Sequence, residues 1–191
     1  MCPPQPAHLG GAEEFAGCPA TVLDFWRFAM PDLRTNNVRG YLAEFLVAQA
    51  VGAAGAKVEW DAYDVLTPSG TRVEVKSSAY LQVWEQRRLS RIVFSGLRGR
   101  TWTPREGESS NATYNADVYV FAVQTSQTHA EYNPLDTGQW AFYVLPQVTL
   151  EELGYDSISL HTLEAHAGEP VTLGALAEAI TAASALNQRD S

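Results

Sequence analysis

The stretch that most limits how this chain can fold runs from Tyr63 to Ser78: Tyr-Asp-Val-Leu-Thr-Pro-Ser-Gly-Thr-Arg-Val-Glu-Val-Lys-Ser-Ser. Apolar and β-branched residues flank Pro68-Ser69-Gly70, which is the pattern of two short strands joined by a tight turn. The second strand alternates, so Arg72, Glu74 and Lys76 share one face and Val73 and Val75 the other. A loop of residues 68–70 pairs Thr67 with Thr71 and sets Asp64 opposite Glu74. A two-residue loop shifts the register by one, puts Asp64 on the valine face and asks Pro68 to pair across the turn, which proline does poorly. The three-residue loop is therefore expected.

Opposed residues on one face have Cβ atoms about 4.5–5.5 Å apart. Two carboxylates at that spacing repel unless a cation lies between them, and Lys76 sits one pleat further along. Two carboxylates beside a lysine suit a hard divalent ion next to a group that orients a water. Mg²⁺ is commonly held by one or two carboxylates and completes its shell with water and substrate phosphate. It polarises a phosphoryl oxygen and lowers the pKa of a bound water. Glu-x-Lys by itself is equally the mark of an ordinary solvated hairpin; the Asp64 register and the apolar Val73/Val75 face argue for the site.

Asp64, nine intervening residues, then Glu74-Val75-Lys76 resembles the Asp…Glu-x-Lys signature of the PD-(D/E)xK nuclease superfamily. The resemblance implies a restriction-endonuclease-like fold and a metal-dependent nuclease. Asp64 and Glu74 would be metal ligands, with the Val75 carbonyl as a further one, and Lys76 would position or activate the attacking water. The helix before the catalytic hairpin often carries a glutamate that reaches the metal, and Arg39-Gly40-Tyr41-Leu42-Ala43-Glu44 looks like that helix. On this basis Glu44 joins the expected catalytic and metal set, although a solvent-facing or arginine-paired glutamate fits the same sequence. Family members often place a polar residue after the Glu-x-Lys strand. Gln82 stands there, as a phosphate contact or as a plain surface amide.

Asp61 competes with Asp64. The two are three residues apart and so face opposite sides of a regular strand, unless a bulge intervenes.

A net charge of −9 is unusual for a protein that handles nucleic acid, but its distribution is uneven. Residues 72–105 hold Arg72, Lys76, Arg87, Arg88, Arg91, Arg98, Arg100 and Arg105 against Glu74 and Glu85. From residue 112 onward there are ten acids and one base, Arg189. This asymmetry allows a basic surface beside the hairpin, with Gln82, Arg87, Arg88, Arg98 and Arg100 as expected nucleic-acid contacts. The polar run 99–115 is long enough to be functional, as a loop closing over substrate or as a plain surface loop. Phosphate contacts of this kind imply binding that weakens with salt.

Around the hairpin, Thr21 caps a short helix ended by Pro31. A second helix, Val38–Val51, follows Asn37 as cap, stops near Gly52 and is apolar nearly all round, the mark of burial. Strands are expected from Val58 into the hairpin, around Ile92–Phe94, over Ala116–Val123 and Gln139–Leu145, and at 157–161. Thr172 caps a closing helix through Leu186, and Asp117 reads as a structural hydrogen-bonding residue. The order implies an α/β domain with a mixed central β-sheet flanked by helices. Residues 1–19 are expected to be poorly ordered and 20–191 to form one nuclease-like domain.

With 46% hydrophobic residues the chain is globular. It has no apolar run of membrane-spanning length and no signal-peptide pattern. Cys2 and Cys18 lack metal-ligand spacing, and the four histidines show none either. A cytoplasmic protein is expected.

The leading expectation is an Mg²⁺-dependent nuclease, with Mn²⁺ as a substitute ion, cutting phosphodiester bonds in DNA ahead of RNA, without a membrane partner and with a homodimer allowed. Two alternatives remain at this stage. One is a catalytically inert nuclease-fold module that binds nucleic acid or protein. The other is an unrelated metal enzyme acting on a small anion.

Overall fold

The computed structural model describes residues 9–54, 62–103 and 107–187. Asp61, Arg105 and the expected strand start at Val58 lie outside them. The chain divides into two units, Met1–Leu33 and Arg34–Ser191.

In the first unit, helix α1 spans Val22–Ala29. Thr21 and Asp24 form a reciprocal capping box that satisfies N–H groups at the helix start. The chain before it is folded back locally: the Glu13 carboxylate accepts the backbone N–H of Gly10 and Gly11, both at 2.8 Å.

The second unit opens with helix α2, Asn36–Val51. Its N-cap is Thr35, two residues before the expected Asn37, and Gly52 closes it in the left-handed region at φ 66°. The helix is not buried all round. Val38, Arg39, Ala43, Leu46 and Val47 form its inner face, while Tyr41 and Phe45 are exposed.

The hairpin follows as strands β1 (Val65–Leu66) and β2 (Arg72–Ala79). Val65 pairs with Val73 and Leu66 with Arg72, and Thr67 N–H donates to the Thr71 carbonyl at 3.0 Å. This is the register of the three-residue loop. A crossover carrying β3 (Val93–Ser95), β4 (Trp102–Thr103) and β5 (Gly107–Glu108) leads to β6 (Val118–Gln124). Strand β6 lies parallel to β2, and every residue in it is buried, as expected of a strand covered on both faces. β7 (Trp140–Pro146) pairs antiparallel with β6, so the central mixed sheet has the order β1-β2-β6-β7. Helix α3 (Gln147–Leu153), strand β8 (Ser157–Ser159), helix α4 (Leu160–Ala167) and helix α5 (Leu176–Asn187) complete the unit. β3 belongs to a separate two-stranded sheet with β8.

Register divides the core in two. On one face Val73 and Val75 join Val118, Val120, Ala122 and Phe142 beneath Ala43, Leu46 and Val47 of α2 and Leu176 and Ile180 of α5. On the other, Tyr119, Phe121, Val123, Tyr143 and Leu145 pack against Phe94 and Leu97, Leu150, Ile158 and Leu163. Phe94 and Phe121 meet edge to face, with ring centroids 5.1 Å apart. Glu74 and Lys76 project toward this second layer, beside the end of β3.

Asp117 ties the sheet together at the start of β6. Its carboxylate accepts the Arg72 backbone N–H at 2.8 Å and its guanidinium. Its backbone carbonyl accepts from Gln147 N–H and the Asn187 side chain. Burial pushes the Asp117 carboxyl up, but the bonds from Arg72 outweigh that and hold it below the usual range.

Candidate active site

Asp64, Glu74 and Lys76 line one open pocket of about 260 Å³, together with Ala62, Tyr63, Gly96, Leu97, Gly99, Arg100, Asn115 and Tyr119. Period-two alternation puts Glu74 and Lys76 on one face of β2, and the turn geometry at Thr67–Thr71 brings Asp64 across to them. Lys76 Nζ stands 2.7 Å from Glu74 Oε1, and both side chains are mostly buried. An ion pair at that depth interacts more strongly than one in open water.

Asp64 sits just beyond β1, where the regular pairing stops. Its backbone N–H donates to the Val73 carbonyl at 3.0 Å, and its carboxylate Oδ2 accepts the Val75 N–H at 2.8 Å. The side chain thus takes the place of a strand partner and is oriented by β2 itself. The N–H and C=O of one strand residue point to the same side, so the Val75 carbonyl is directed toward the Asp64 edge.

Tyr119 lies directly across from Glu74 in the parallel register. Its phenolic oxygen accepts the Asn115 N–H at 3.0 Å. Burial, with the nearby Glu74 charge adding to it, pushes its pKa up to about 12, so the phenol keeps its proton at neutral pH. Gly96 has φ 67°, and a Cβ there would stand 4.0 Å from Lys76 Nζ. The positive φ makes glycine the natural residue at this wall of the pocket.

Not every expected residue is in the pocket. Glu44 is half-buried on α2, whose buried residues pack with Val73 and Val75 on the face away from Glu74 and Lys76; it is not a lining residue. Gln82 lies past the end of β2, with Nε2 donating to the Ala79 carbonyl at 3.3 Å and to Ser90 Oγ at 3.2 Å. It borders a separate pocket of about 60 Å³ with Arg34, Leu81, Val83, His129 and Tyr132. Arg98 is engaged elsewhere: Nη2 donates to the Gly154 carbonyl at 2.8 Å, and the guanidinium lies 5.0 Å from the centre of the Tyr114 ring. Arg87 and Arg88 are exposed and outside the pocket. Of the five expected nucleic-acid contacts, Arg100 alone lines it.

Sequence reasoning missed Tyr119, Asn115 and Gly96. Tyr119 reads as one more apolar residue in a buried run. Asn115 and Gly96 reach the pocket only through the crossover, for which no local pattern exists.

Two carboxylates and a lysine fit a divalent ion that fills the rest of its shell with water and phosphate. Among the described residues no group of three or more His, Cys, Asp or Glu side chains is placed to hold a metal. Within the pocket, Asp64 and Glu74 are the two carboxylates that could serve such an ion, and its remaining positions would be open to water or substrate.

The sequence matches the family model described as bacteriophage T4 endonuclease IV over residues 29–161, and the chain belongs to that family. The match spans α2, the hairpin, the crossover and every residue of the pocket. No curated protein matches the chain. An endonuclease family implies a nucleic-acid substrate. Among the described residues no helix is long and apolar enough to cross a membrane.

Proposed function

We propose that this chain is a metal-dependent endonuclease of the PD-(D/E)xK type that hydrolyses phosphodiester bonds in DNA. The observation that carries the reading is the convergence of Asp64, Glu74 and Lys76 on one pocket. Asp64 and Glu74 would hold Mg²⁺, with the Val75 carbonyl as a further ligand. When bound, that ion supplies a Lewis acid and a water of lowered pKa.

The chain's own residues do the rest. Val75 N–H fixes the Asp64 carboxylate, and the Glu74 carboxylate fixes the Lys76 ammonium. Preset groups of this kind stabilise charge in the transition state without having to reorganise during the reaction. Lys76 orients the attacking water toward the phosphorus and stabilises the negative charge that develops as the new P–O bond forms. The attacking water gives up its proton to bulk water as the new P–O bond forms, and the departing sugar oxygen leaves with the electrons of the broken P–O bond and takes up a proton from bulk water. Arg100 at the pocket rim suits a non-bridging phosphate oxygen, and the neutral Tyr119 hydroxyl is a donor on the same wall.

Cleavage of matched DNA and RNA substrates in Mg²⁺ and in EDTA tests the reading, together with Mn²⁺ titration of the wild type and Asp64→Asn. DNA cleavage that EDTA abolishes, with weakened Mn²⁺ binding in the variant, is expected. Full cleavage in EDTA removes the metal from the account. Salt-sensitive binding without cleavage under any condition favours an inert binding module.

A further inference from the structure

Within the crossover between β2 and β6, residues 99–103 pair with 107–113 as a two-stranded arm whose base lies at the pocket wall. Gly99 and Thr113 exchange backbone hydrogen bonds of 2.9 and 3.0 Å, and the Asn115 side chain donates to the Gly99 carbonyl at 3.0 Å. Further out, Ser109 N–H donates to the Thr101 carbonyl at 2.8 Å and Thr101 N–H to Ser109 Oγ at 3.0 Å. Trp102 then pairs with Glu108 and Thr103 with Gly107.

These bonds hold residues 99–103 extended, and on an extended chain residues two apart project to the same side. Arg100 lines the pocket with Asp64, Glu74 and Lys76. Strand alternation from Arg100 would then set Trp102 on the same side, one pleat or about 6.6 Å further along, at the start of β4. It is 67% exposed. An indole left in water beside a guanidinium at a phosphodiester-cleaving pocket matches the pairing that strand-binding proteins use: a cation for the backbone and an aromatic face for the base.

We infer that Trp102 is a base-stacking platform, on which an unpaired base next to the scissile phosphate lies flat while Arg100 takes the phosphate. The inference rests on the endonuclease reading of the pocket, and it adds a position outside the pocket that selects for a base free of its helical stack.

The test is binding of a fluorescein-labelled single-stranded DNA oligonucleotide, measured by anisotropy with Mg²⁺ present. The proteins carry Lys76→Ala to keep the probe intact and add Trp102→Ala, Trp102→Leu or Trp102→Phe. Wild-type chain is assayed for cleavage alongside. Base–aromatic stacking predicts affinity lower by about 5- to 100-fold for Trp102→Ala and Trp102→Leu, with Trp102→Phe recovering most of it. The salt dependence of Trp102→Ala should match the parent, whereas Arg100→Ala should lower the slope by about 0.7. Equal affinity of Trp102→Ala and the parent overturns the inference, as does Trp102→Leu performing as well as Trp102→Phe. Wild-type cleavage with no Trp102 effect overturns the platform alone. Trp102-dependent binding without any wild-type cleavage supports the platform and overturns the endonuclease reading. Absence of binding by the parent overturns the platform, and if the wild type also fails to cleave it overturns the endonuclease reading with it.

Discussion

The backbone N–H of Val75 donates to the Asp64 carboxylate at 2.8 Å, so the strand that carries Glu74 and Lys76 also aims the third member of the set. The edge strand ends where the site begins, and a side chain completes the ladder. Asp64→Asn keeps a carbonyl oxygen for that bond but loses the charge. It should melt within about 1 kcal/mol of the wild type while cleavage falls by at least about 100-fold. Asp64→Ala loses both the bond and the charge, so its melting temperature should drop as well. Paired melting curves and single-turnover rates distinguish the two.

Tyr119 gives a pH signature. Its folded pKa of about 12 lies above the unfolded value near 10. Below pH 10 both states hold the proton and the group adds no pH dependence. Between pH 10 and 12 the unfolded chain releases it first, so stability falls as pH rises. Tyr143, pushed to about 12 by burial with Glu164 adding to it, acts in the same direction. Melting temperatures of the wild type should decline over that window, and Tyr119→Phe should flatten part of the decline. If the phenol donates to substrate, the same variant also lowers cleavage at pH 7–8, where melting is unaffected by the titration.

Gly96 holds φ 67° where the chain passes Lys76. Gly96→Ala meets no close atom but forces an L side chain into the left-handed region, at a cost of about 1 kcal/mol. Chemical denaturation reads that loss directly. A backbone that relaxes away from this φ widens the wall beside Lys76, so activity should fall more than stability does.

At the opposite end of β2, Asp117 has a depressed pKa through its bonds to Arg72. Stability from this carboxylate is fully present above the unfolded value near 4 and is lost as pH falls through the folded pKa. Asp117→Asn should therefore be less stable than the wild type at pH 7, by about 1–2 kcal/mol. The difference should shrink as pH falls through the lowered folded pKa of Asp117. A constant difference across the acid range would contradict this.

The hairpin register was legible because it is local. Pro68 cannot pair across the turn, so Thr67 must meet Thr71. The regular ladder then ends at Val65, and Asp64 reaches β2 through its bonds to the Val73 carbonyl and the Val75 N–H instead of pairing with Glu74. The fully buried β6, helix α1 with its Thr21 cap and the body of α5 were legible from composition and caps. Thr172, expected to cap the closing helix, instead precedes a 3₁₀ turn at Leu173–Ala175 and makes no side-chain cap bond, so α5 begins at Leu176. The parallel pairing of β2 with β6, the small β3–β8 sheet and the pocket wall of Gly96, Asn115 and Tyr119 depend on contacts distant in sequence, which no periodicity encodes. Helices α3 and α4 follow directly after strands β7 and β8, and Pro146, which reads as a strand stop, is the N-cap of α3. Glu44 was placed at the site by the resemblance of its helix to the one before the catalytic hairpin. Which face of the sheet that helix covers is set by long-range packing, and α2 covers the Val73/Val75 face. Arg39, 4% exposed, shows the same limit, since its bonds to the Arg34 carbonyl and Asn36 form only once α2 is capped and packed.

The most direct test of the account is the single-turnover rate of DNA cleavage in Mg²⁺ by Lys76→Met against the wild type. Methionine keeps much of the length of the side chain and removes the ammonium that pairs with Glu74. The account predicts a rate lower by at least about 100-fold with melting temperature and DNA affinity close to wild type. Cleavage at the wild-type rate would contradict it, and the site would have to be sought elsewhere on the chain.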